Sequence, residues 1–290
     1  MIIEQMLNNA TKPLLHIADV SGSALFQGDC LDIMPLIPDK SVQLILADLP
    51  YGTTACKWDT IIPFEKLWEQ YMRIIKPNGA IVLFGSQPFT SNLIMSNPKC
   101  FRYCWVWNKK FAANFALAKY QPQKIHEDIC VFSIKSHNYY PQVTKRDNPI
   151  TMGKNRSESG AANLAYAKPE YNKKVYDTKQ PESILFYNTR AEKKGLHPTQ
   201  KPLGLIKYLI KTYSNENDMV LDNTMGSGTT CLAAKELNRK FIGIEKEPEY
   251  FEIAINRVYN HDCKCDVCFQ VKSIIEAEDN HFYCKECSEL

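Results

Sequence analysis

The sequence predicts an open α/β sheet. Three observations carry that expectation: apolar runs of strand length alternate with helix-like stretches, two such runs end in an aspartate (Asp48 and Asp222), and the second aspartate leads into a glycine-rich turn before a helix. Open α/β sheets hold ligands at the carboxyl ends of their strands, so both aspartates are expected on one edge of one sheet.

In chain order, candidate strands are Ala24 to Gln27, Val42 to Ala47, Ala80 to Phe84, Tyr103 to Trp107, Ile129 to Ile134, Met219 to Leu221 and Phe241 to Ile244. Candidate helices fill the intervals at about Phe64 to Ile75, Pro88 to Met95, Leu203 to Tyr213, Ser227 to Asn238 and Pro248 to Asn260. Between about Lys135 and Leu196 the periodicity fails. That stretch is rich in Asn, Lys, Tyr and Gly and is too long for a plain connection, which marks an inserted functional region.

Composition sets the class. At 290 residues, 44% hydrophobic and 23% charged, the chain can bury a large core. No apolar run approaches the roughly 18 residues that cross a bilayer, and the N-terminus does not resemble a signal peptide, so a cytoplasmic protein is expected. Eleven cysteines in such a chain read as thiols or metal ligands before disulfides. Net charge is only +3 but uneven: Arg102 to Lys194 holds 17 Lys and Arg against 8 Asp and Glu, while Cys263 to Leu290 holds 3 against 6. The middle segment is the expected polyanion contact, although solvated loops are often lysine-rich for no such reason.

The turn Asp222-Asn223-Thr224-Met225-Gly226-Ser227-Gly228 follows the apolar Met219-Val220-Leu221. Gly226 and Gly228 let a ligand approach the backbone where the next helix exposes unpaired N–H groups, a place for phosphate or an amino acid carboxylate. The turn lacks the Lys-Ser/Thr of a P-loop, and its G-x-G is shorter than the dinucleotide fingerprint. About 20 residues on, Phe241-Ile242-Gly243-Ile244-Glu245 is a strand ending in an acid, the spacing at which a carboxylate accepts ribose hydroxyls. A nucleoside carrying an amino acid describes S-adenosylmethionine. Either glycine alone is more often just a turn residue; the series is what carries the reading.

Asp48-Leu49-Pro50-Tyr51 follows the strand-like Val42 to Ala47. An exocyclic amine on adenine or cytosine is a poor nucleophile because its lone pair is delocalised into the ring. Accepting both N–H groups, with the Asp48 carboxylate and the backbone carbonyl of Leu49, tilts the nitrogen toward tetrahedral geometry and aims the lone pair at a methyl donor. The base must leave its helix for this. Tyr51 offers a stacking ring, worth about 1 to 3 kcal/mol per base, and Pro50 stiffens the turn. A lone D-x-P-Y reads first as a Pro-Tyr turn with an aspartate capping the next helix; its position after a strand reverses that preference.

These residues resemble a known family. Asp48-Leu49-Pro50-Tyr51 resembles the catalytic motif of DNA amino-methyltransferases, and Asp222 to Gly228, with Thr224 and the following Thr229, resembles their cofactor motif. The order, catalytic motif first, is similar to the β-class and implies a circularly permuted Rossmann-like methyltransferase fold. His197-Pro198-Thr199-Gln200-Lys201-Pro202 is similar to the segment lining the methionine end of the cofactor, from which His197, Lys201 and Pro202 are taken as cofactor residues. Gly28-Asp29-Cys30 is similar to the segment holding the cofactor adenine, with Asp29 the acceptor for its amino group and Cys30 beside it. Phe84-Gly85-Ser86 resembles the segment flanking that pocket, and Lys124-Ile125-His126-Glu127 the motif that helps hold the extruded base. The resemblance covers roughly residues 24 to 260. Two departures stand out: Leu49 where the family commonly has a second proline, and Asn223-Thr224 where it has Pro-Phe. Aspartate at position 48 goes mostly with N6-adenine methylation in the family and serine with N4-cytosine, so adenine is expected and cytosine is the runner-up.

The resemblance makes residues 135–196 the region that recognises sequence in double-stranded DNA, between a catalytic half at 1–134 and a cofactor half at 197–262. Trp105, Trp107, Lys109, Lys110 and Phe111 form an aromatic and basic cluster that either faces DNA or, for the alternating tryptophans, shares a buried strand face. The tail, 263–290, carries Cys265-x2-Cys268-x15-Cys284-x2-Cys287, the spacing of a four-thiolate zinc ribbon, and such a short segment has too little apolar core to fold without a structural zinc. Its negative charge argues for domain stability or a protein contact before phosphate binding. A homodimer stays open. The competing class is a non-catalytic DNA-binding scaffold, which has no physical need to keep Asp48, Tyr51, Asp222 and Glu245 together.

Overall fold

The computed structural model describes residues 2–12, 14–18, 21–52, 59–112, 118–152, 174–188, 200–259, 274–278 and 281–284. The chain divides into two compact units, Met1–Tyr140 with Ser183–Leu290, and Pro141–Glu182. The first unit runs through α1 (Ile2–Asn9), β1 (His16–Ala18), β2 (Ala24–Gln27), α2 (Cys30–Ile33), β3 (Val42–Ala47), α3 (Phe64–Ile74), β4 (Ile75–Gly85), α4 (Phe89–Ser96), β5 (Phe101–Asn108) and β6 (His126–Phe132). The second unit holds an antiparallel pair, β7 (Thr144–Met152) and β8 (Lys174–Lys179). The first unit then resumes with β9 (Ile184–Phe186), α5 (Leu203–Tyr213), β10 (Met219–Asp222), α6 (Thr229–Glu236), β11 (Lys240–Glu245) and α7 (Pro248–Tyr259). A further antiparallel pair, β12 (Ile274–Glu278) and β13 (His281–Cys284), lies in the tail.

Nine strands form one sheet in the order β1-β2-β11-β10-β3-β4-β6-β5-β9. The five from β2 to β4 are parallel, and β6 and β5 follow antiparallel. Both faces of the sheet are covered, which is why β3 is apolar at every position but Gln43 and has all six residues buried. From Leu44 onward alternation divides its side chains between the faces, and a register shift between Val42 and Leu44 puts Val42 on the face of Ile45. Val42, Ile45 and Ala47 pack with α1 to α4, whereas Leu44 and Leu46 pack with α5 to α7. Burying each Leu or Ile contributes about 1.5–3 kcal/mol. In α3 the buried Leu67, Trp68, Tyr71 and Ile74 repeat at helical spacing and form one stripe against the sheet.

The crossovers place the site. From β10 the chain runs through α6 on one face to β11; from β3 it runs through α3 on the other face to β4. The two paths diverge between β10 and β3, whose register aligns Val220 with Leu44 and Leu221 with Ile45. A crevice therefore opens at the carboxyl ends of these two strands, and Asp222 and Asp48 stand on either side of it.

Several elements exceed what periodicity showed. β4 begins at Ile75, ahead of the expected Ala80, with Lys76 to Gly79 carried in the strand at a register shift against β3. α1, β1 and α2 were too short or too irregular to stand out. β9 lies within the stretch read as inserted, yet it pairs in parallel with β5. No described helix is long and apolar enough to cross a membrane.

Candidate active site

A cavity of about 860 Å³ occupies the crevice, with both aspartate motifs in its wall. Ligand sites span roughly 300–1,000 Å³, so it has room for a nucleoside-sized donor and a flat ring. At one end, β11 delivers Glu245. Its Oε2 accepts from the Gly226 N–H at 2.8 Å and its Oε1 from the Glu247 N–H at 2.8 Å. Burial raises the Glu245 pKa and these backbone donors pull it back. Gly226 takes φ +52°, a left-handed turn that lets its N–H point at the carboxylate. Asp29 Oδ1 caps α2 by accepting from the Leu31 N–H at 3.0 Å, and its Oδ2 pairs with Lys246 Nζ at 3.1 Å.

Asp222 ends β10 with its Oδ1 accepting from the Thr224 N–H at 3.1 Å. Burial pushes its carboxyl up to about 7, against the Thr230 hydroxyl and the Thr224 N–H. The two departures at Asn223-Thr224 have polar roles here. Tyr71 donates its hydroxyl to Asn223 Oδ1 at 2.5 Å, and Thr224 Oγ1 donates to the Asp48 carbonyl at 3.1 Å, which ties the two motifs together directly. Asn223 Nδ2 is buried with no hydrogen-bond partner among the described residues.

At the other end Asp48 lies at the floor of the cavity. Tyr51 donates its hydroxyl to Asp48 Oδ1 at 2.7 Å, and Lys201 Nζ forms an ion pair with Oδ2. The 21% of the Asp48 side chain that stays exposed faces this cavity, so burial still raises its pKa while Lys201 opposes the rise. Lys201 Nζ also lies 3.7 Å from Glu127 Oε2 and 5.0 Å from the Phe84 ring centre. Asp48 and Glu127 raise the Lys201 pKa against the effect of burial. Lys109 Nζ binds Glu127 Oε1 at 2.9 Å; although burial alone would raise Glu127, Lys201 and Lys109 hold it below the usual range. The Tyr51 ring stacks on Phe89 with centres 4.8 Å apart, so one of its faces is already covered.

The cavity thus gathers Asp48, Leu49, Pro50, Tyr51, Asp29, Cys30, Phe84, Lys201, Asp222, Thr224, Gly226, Thr229 and Glu245. Cys30 is buried there, its thiol pushed up to about 11 by burial. Lys201, expected at the methionine end of a cofactor, forms its ion pair with the Asp48 carboxylate. Gly228 is absent from the cavity wall. It caps α6 at φ +74°, and a Cβ there would stand 3.0 Å from that of Ala254, so helix packing and backbone conformation account for the glycine. Pro202 is buried just ahead of α5, also outside the wall. His197 lies outside the described residues. Trp105 and Trp107 take the buried alternative: they share the face under α5, donating to the Tyr213 hydroxyl at 2.7 Å and the Tyr187 carbonyl at 2.9 Å. Tyr71 and Lys246 were not anticipated. The one signal for Tyr71 was a hydroxyl on an apolar helix stripe, which must find a partner.

Cys284 ends β13, while Cys265, Cys268 and Cys287 lie outside the described residues. Among the described residues no group of three or more His, Cys, Asp or Glu is placed to hold a metal.

A ligand cavity at the switch point of a mainly parallel sheet, acid-lined at one end and holding a paired carboxylate at the other, defines an α/β enzyme for a nucleoside-type ligand. The chain belongs to the N6/N4 DNA methylase family, whose model, described as DNA methylase, matches residues 42–256. Type II methyltransferase M1.MboII of Moraxella bovis is 29% identical over 244 residues, spanning 78% of this chain and 92% of its own. DNA adenine methyltransferase YhdJ of Escherichia coli K12 is 28% identical over 253 residues, 81% of this chain and 82% of its own. The crystal structure of the M1.HpyAVI–SAM complex superposes with a TM-score of 0.55 at 25% identity, covering 81% of this chain and 98% of that one. The protein is an S-adenosylmethionine-dependent DNA methyltransferase of this family.

Proposed function

We propose that the protein transfers a methyl group to N6 of an adenine extruded from double-stranded DNA, with N4 of cytosine as the alternative. The observation that supports this best is the Asp48 carboxylate at the cavity floor, joined to the cofactor turn through Thr224 and the Asp48 carbonyl. The relative named as an adenine methyltransferase favours adenine.

S-adenosylmethionine, when bound, supplies a sulfonium-activated methyl group. The residues present suit such a donor: Glu245 and Asp29 offer acceptors for hydroxyls and an amine, and Asp222 suits a cationic amino acid end. Asp48 and the Leu49 carbonyl hold the two N–H groups of the target amine and direct its lone pair into the cavity. Tyr51 and Pro50 form the wall beside the base. The buried Phe84 and Trp107 give the cavity an apolar wall, which strengthens these hydrogen bonds.

The chain order of the motifs fits a circular permutation. Residues 135–196 act as the target-recognition region, and the tail holds one structural zinc through Cys265, Cys268, Cys284 and Cys287. A role beside a restriction enzyme accords with the relatives named Type II methyltransferases. Incubation with labelled S-adenosylmethionine and mixed-sequence duplex DNA, followed by nucleoside mass analysis, tests the proposal. N6-methyladenine is expected; N4-methylcytosine would move the target, and no methylated nucleoside would defeat the reading. Metal analysis is expected to find zinc near one per chain, and its absence would remove the ribbon.

A further inference from the structure

We propose that Lys201 is a positioning residue for Asp48: a movable counter-ion that keeps the carboxylate ionised and gives way toward Glu127 when the target amine arrives. The proposal rests on the reading of Asp48 as acceptor for that amine.

Geometry is its basis. Both oxygens of Asp48 are engaged, Oδ1 by the Tyr51 hydroxyl at 2.7 Å and Oδ2 by the Lys201 ammonium. An amine that donates to Oδ2 must enter the place where that ammonium lies. A second acceptor is close by. Glu127 Oε2 is buried without a hydrogen-bond partner among the described residues, 3.7 Å from Lys201 Nζ. A short side-chain movement would shorten one ion pair as it lengthened the other. Lys201 keeps only 9% of its side chain exposed, so an ammonium there is tenable only beside a carboxylate. Glu127 is held in place by Lys109 at 2.9 Å on its other oxygen, which leaves Oε2 directed at Lys201.

The charges around Asp48 explain why a counter-ion is needed. Tyr51 faces it from its own turn, Lys201 from the segment ahead of α5, Glu127 from β6 and Asp222 from β10, while Lys109 and Lys124 act on Glu127. Burial and the Glu127 charge both raise the Asp48 pKa, and Lys201 is the nearest cation opposing them. A protonated Asp48 would present an O–H where the amine needs an acceptor. This assigns Lys201 to the reacting end of the site, apart from the donor's amino acid end.

The test reads Asp48 directly. Protein labelled with carbon-13 at the aspartate carboxyls is titrated by NMR without DNA, with Asp48→Asn identifying the signal. Expected is a titration midpoint at least one pH unit higher in Lys201→Met than in the wild type, and a wild-type-like midpoint in Lys201→Arg. S-adenosylmethionine affinity should stay within about threefold in both variants, and the acid limb of kcat should move upward in Lys201→Met. An unmoved Asp48 midpoint in Lys201→Met, or a donor affinity lost tenfold or more with Asp48 unmoved, would overturn the assignment. Glu127→Gln removes the second carboxylate: the hand-over predicts an Asp48 that stays ionised yet turnover reduced at least tenfold, and full turnover would refute it. Wild-type protein that methylates no DNA would defeat the functional reading instead, and the DNA-free titration would still decide whether Lys201 governs Asp48.

Discussion

Glu245 accepts the Gly226 N–H at 2.8 Å, so the acid that ends β11 holds in place the glycine turn that follows β10. The same carboxylate also takes the Glu247 N–H at 2.8 Å and thereby fixes the start of the segment leading into α7. Glu245→Ala would leave two backbone donors unmet, at about 1–3 kcal/mol each. A melting temperature several degrees lower and a donor Kd at least tenfold weaker are expected, by differential scanning fluorimetry and calorimetric titration. A lower melting temperature with unchanged Kd would restrict Glu245 to holding the turn.

Asp48→Ala should separate binding from chemistry. The proposed donor contacts, Glu245, Asp29 and Asp222, line the cavity with side chains other than that of Asp48, so donor affinity is expected within a fewfold of wild type. Turnover should fall by roughly 10² to 10⁴, the scale of a lost positioned hydrogen-bond acceptor in the transition state. Asp48→Asn keeps one acceptor oxygen and should lie between the two. Single-turnover assays with the donor saturating make the comparison, and an unchanged rate for the alanine variant would end the role given to Asp48.

The central strands and the two aspartates that follow them were legible because each strand is a short apolar run, and a buried parallel strand has few other ways to be written. Glu245 could be marked as an acceptor because it ends a strand about 20 residues after the glycine turn, whereas Asp29 was marked only through the family resemblance of Gly28-Asp29-Cys30. What stayed hidden was pairwise. Lys201 and Asp48 are 153 residues apart and Tyr71 and Asn223 are 152 apart, and no local pattern encodes which distant partner a buried polar group will meet. Gly228 shows the converse limit, because a glycine demanded by a neighbouring helix and one demanded by a ligand look the same in sequence. Trp105 and Trp107 were undecided for a related reason: alternation identifies a shared strand face but does not say whether protein or a partner covers it.

The bond from Tyr71 to Asn223 Oδ1 joins α3 to the turn after β10 inside the core. Tyr71→Phe would leave that oxygen buried and unmet while changing little volume, so a loss of about 1–3 kcal/mol is expected in urea unfolding. In a double-mutant cycle with Asn223→Ala, a coupling of about 0.5–3 kcal/mol would show that the two side chains act as one unit. Additive losses would show that the contact contributes nothing beyond packing.

Asp222 gives the stability a pH dependence of definite sign. Its folded pKa of about 7 exceeds the unfolded value near 3.9, because burial disfavours the charged form. Between these values the folded chain binds more protons than the unfolded one, so this group's contribution falls as pH rises from about 4 to 7 and levels off above that. Three pH units correspond to about 4 kcal/mol at most, an order-of-magnitude bound for one buried carboxyl. Burial raises Asp48 and Glu245 in the same direction, so the share of Asp222 has to be isolated by difference. Urea unfolding of wild type and Asp222→Asn from pH 5 to 8 does this: the asparagine variant, with no charge to form, should gain on the wild type as pH increases. Parallel curves would mean that Asp222 is already ionised in the fold. A cationic ligand group beside Asp222 favours its carboxylate, so donor binding should tighten across the same window and release a proton below about pH 7, measurable by calorimetry in buffers of different ionisation enthalpy.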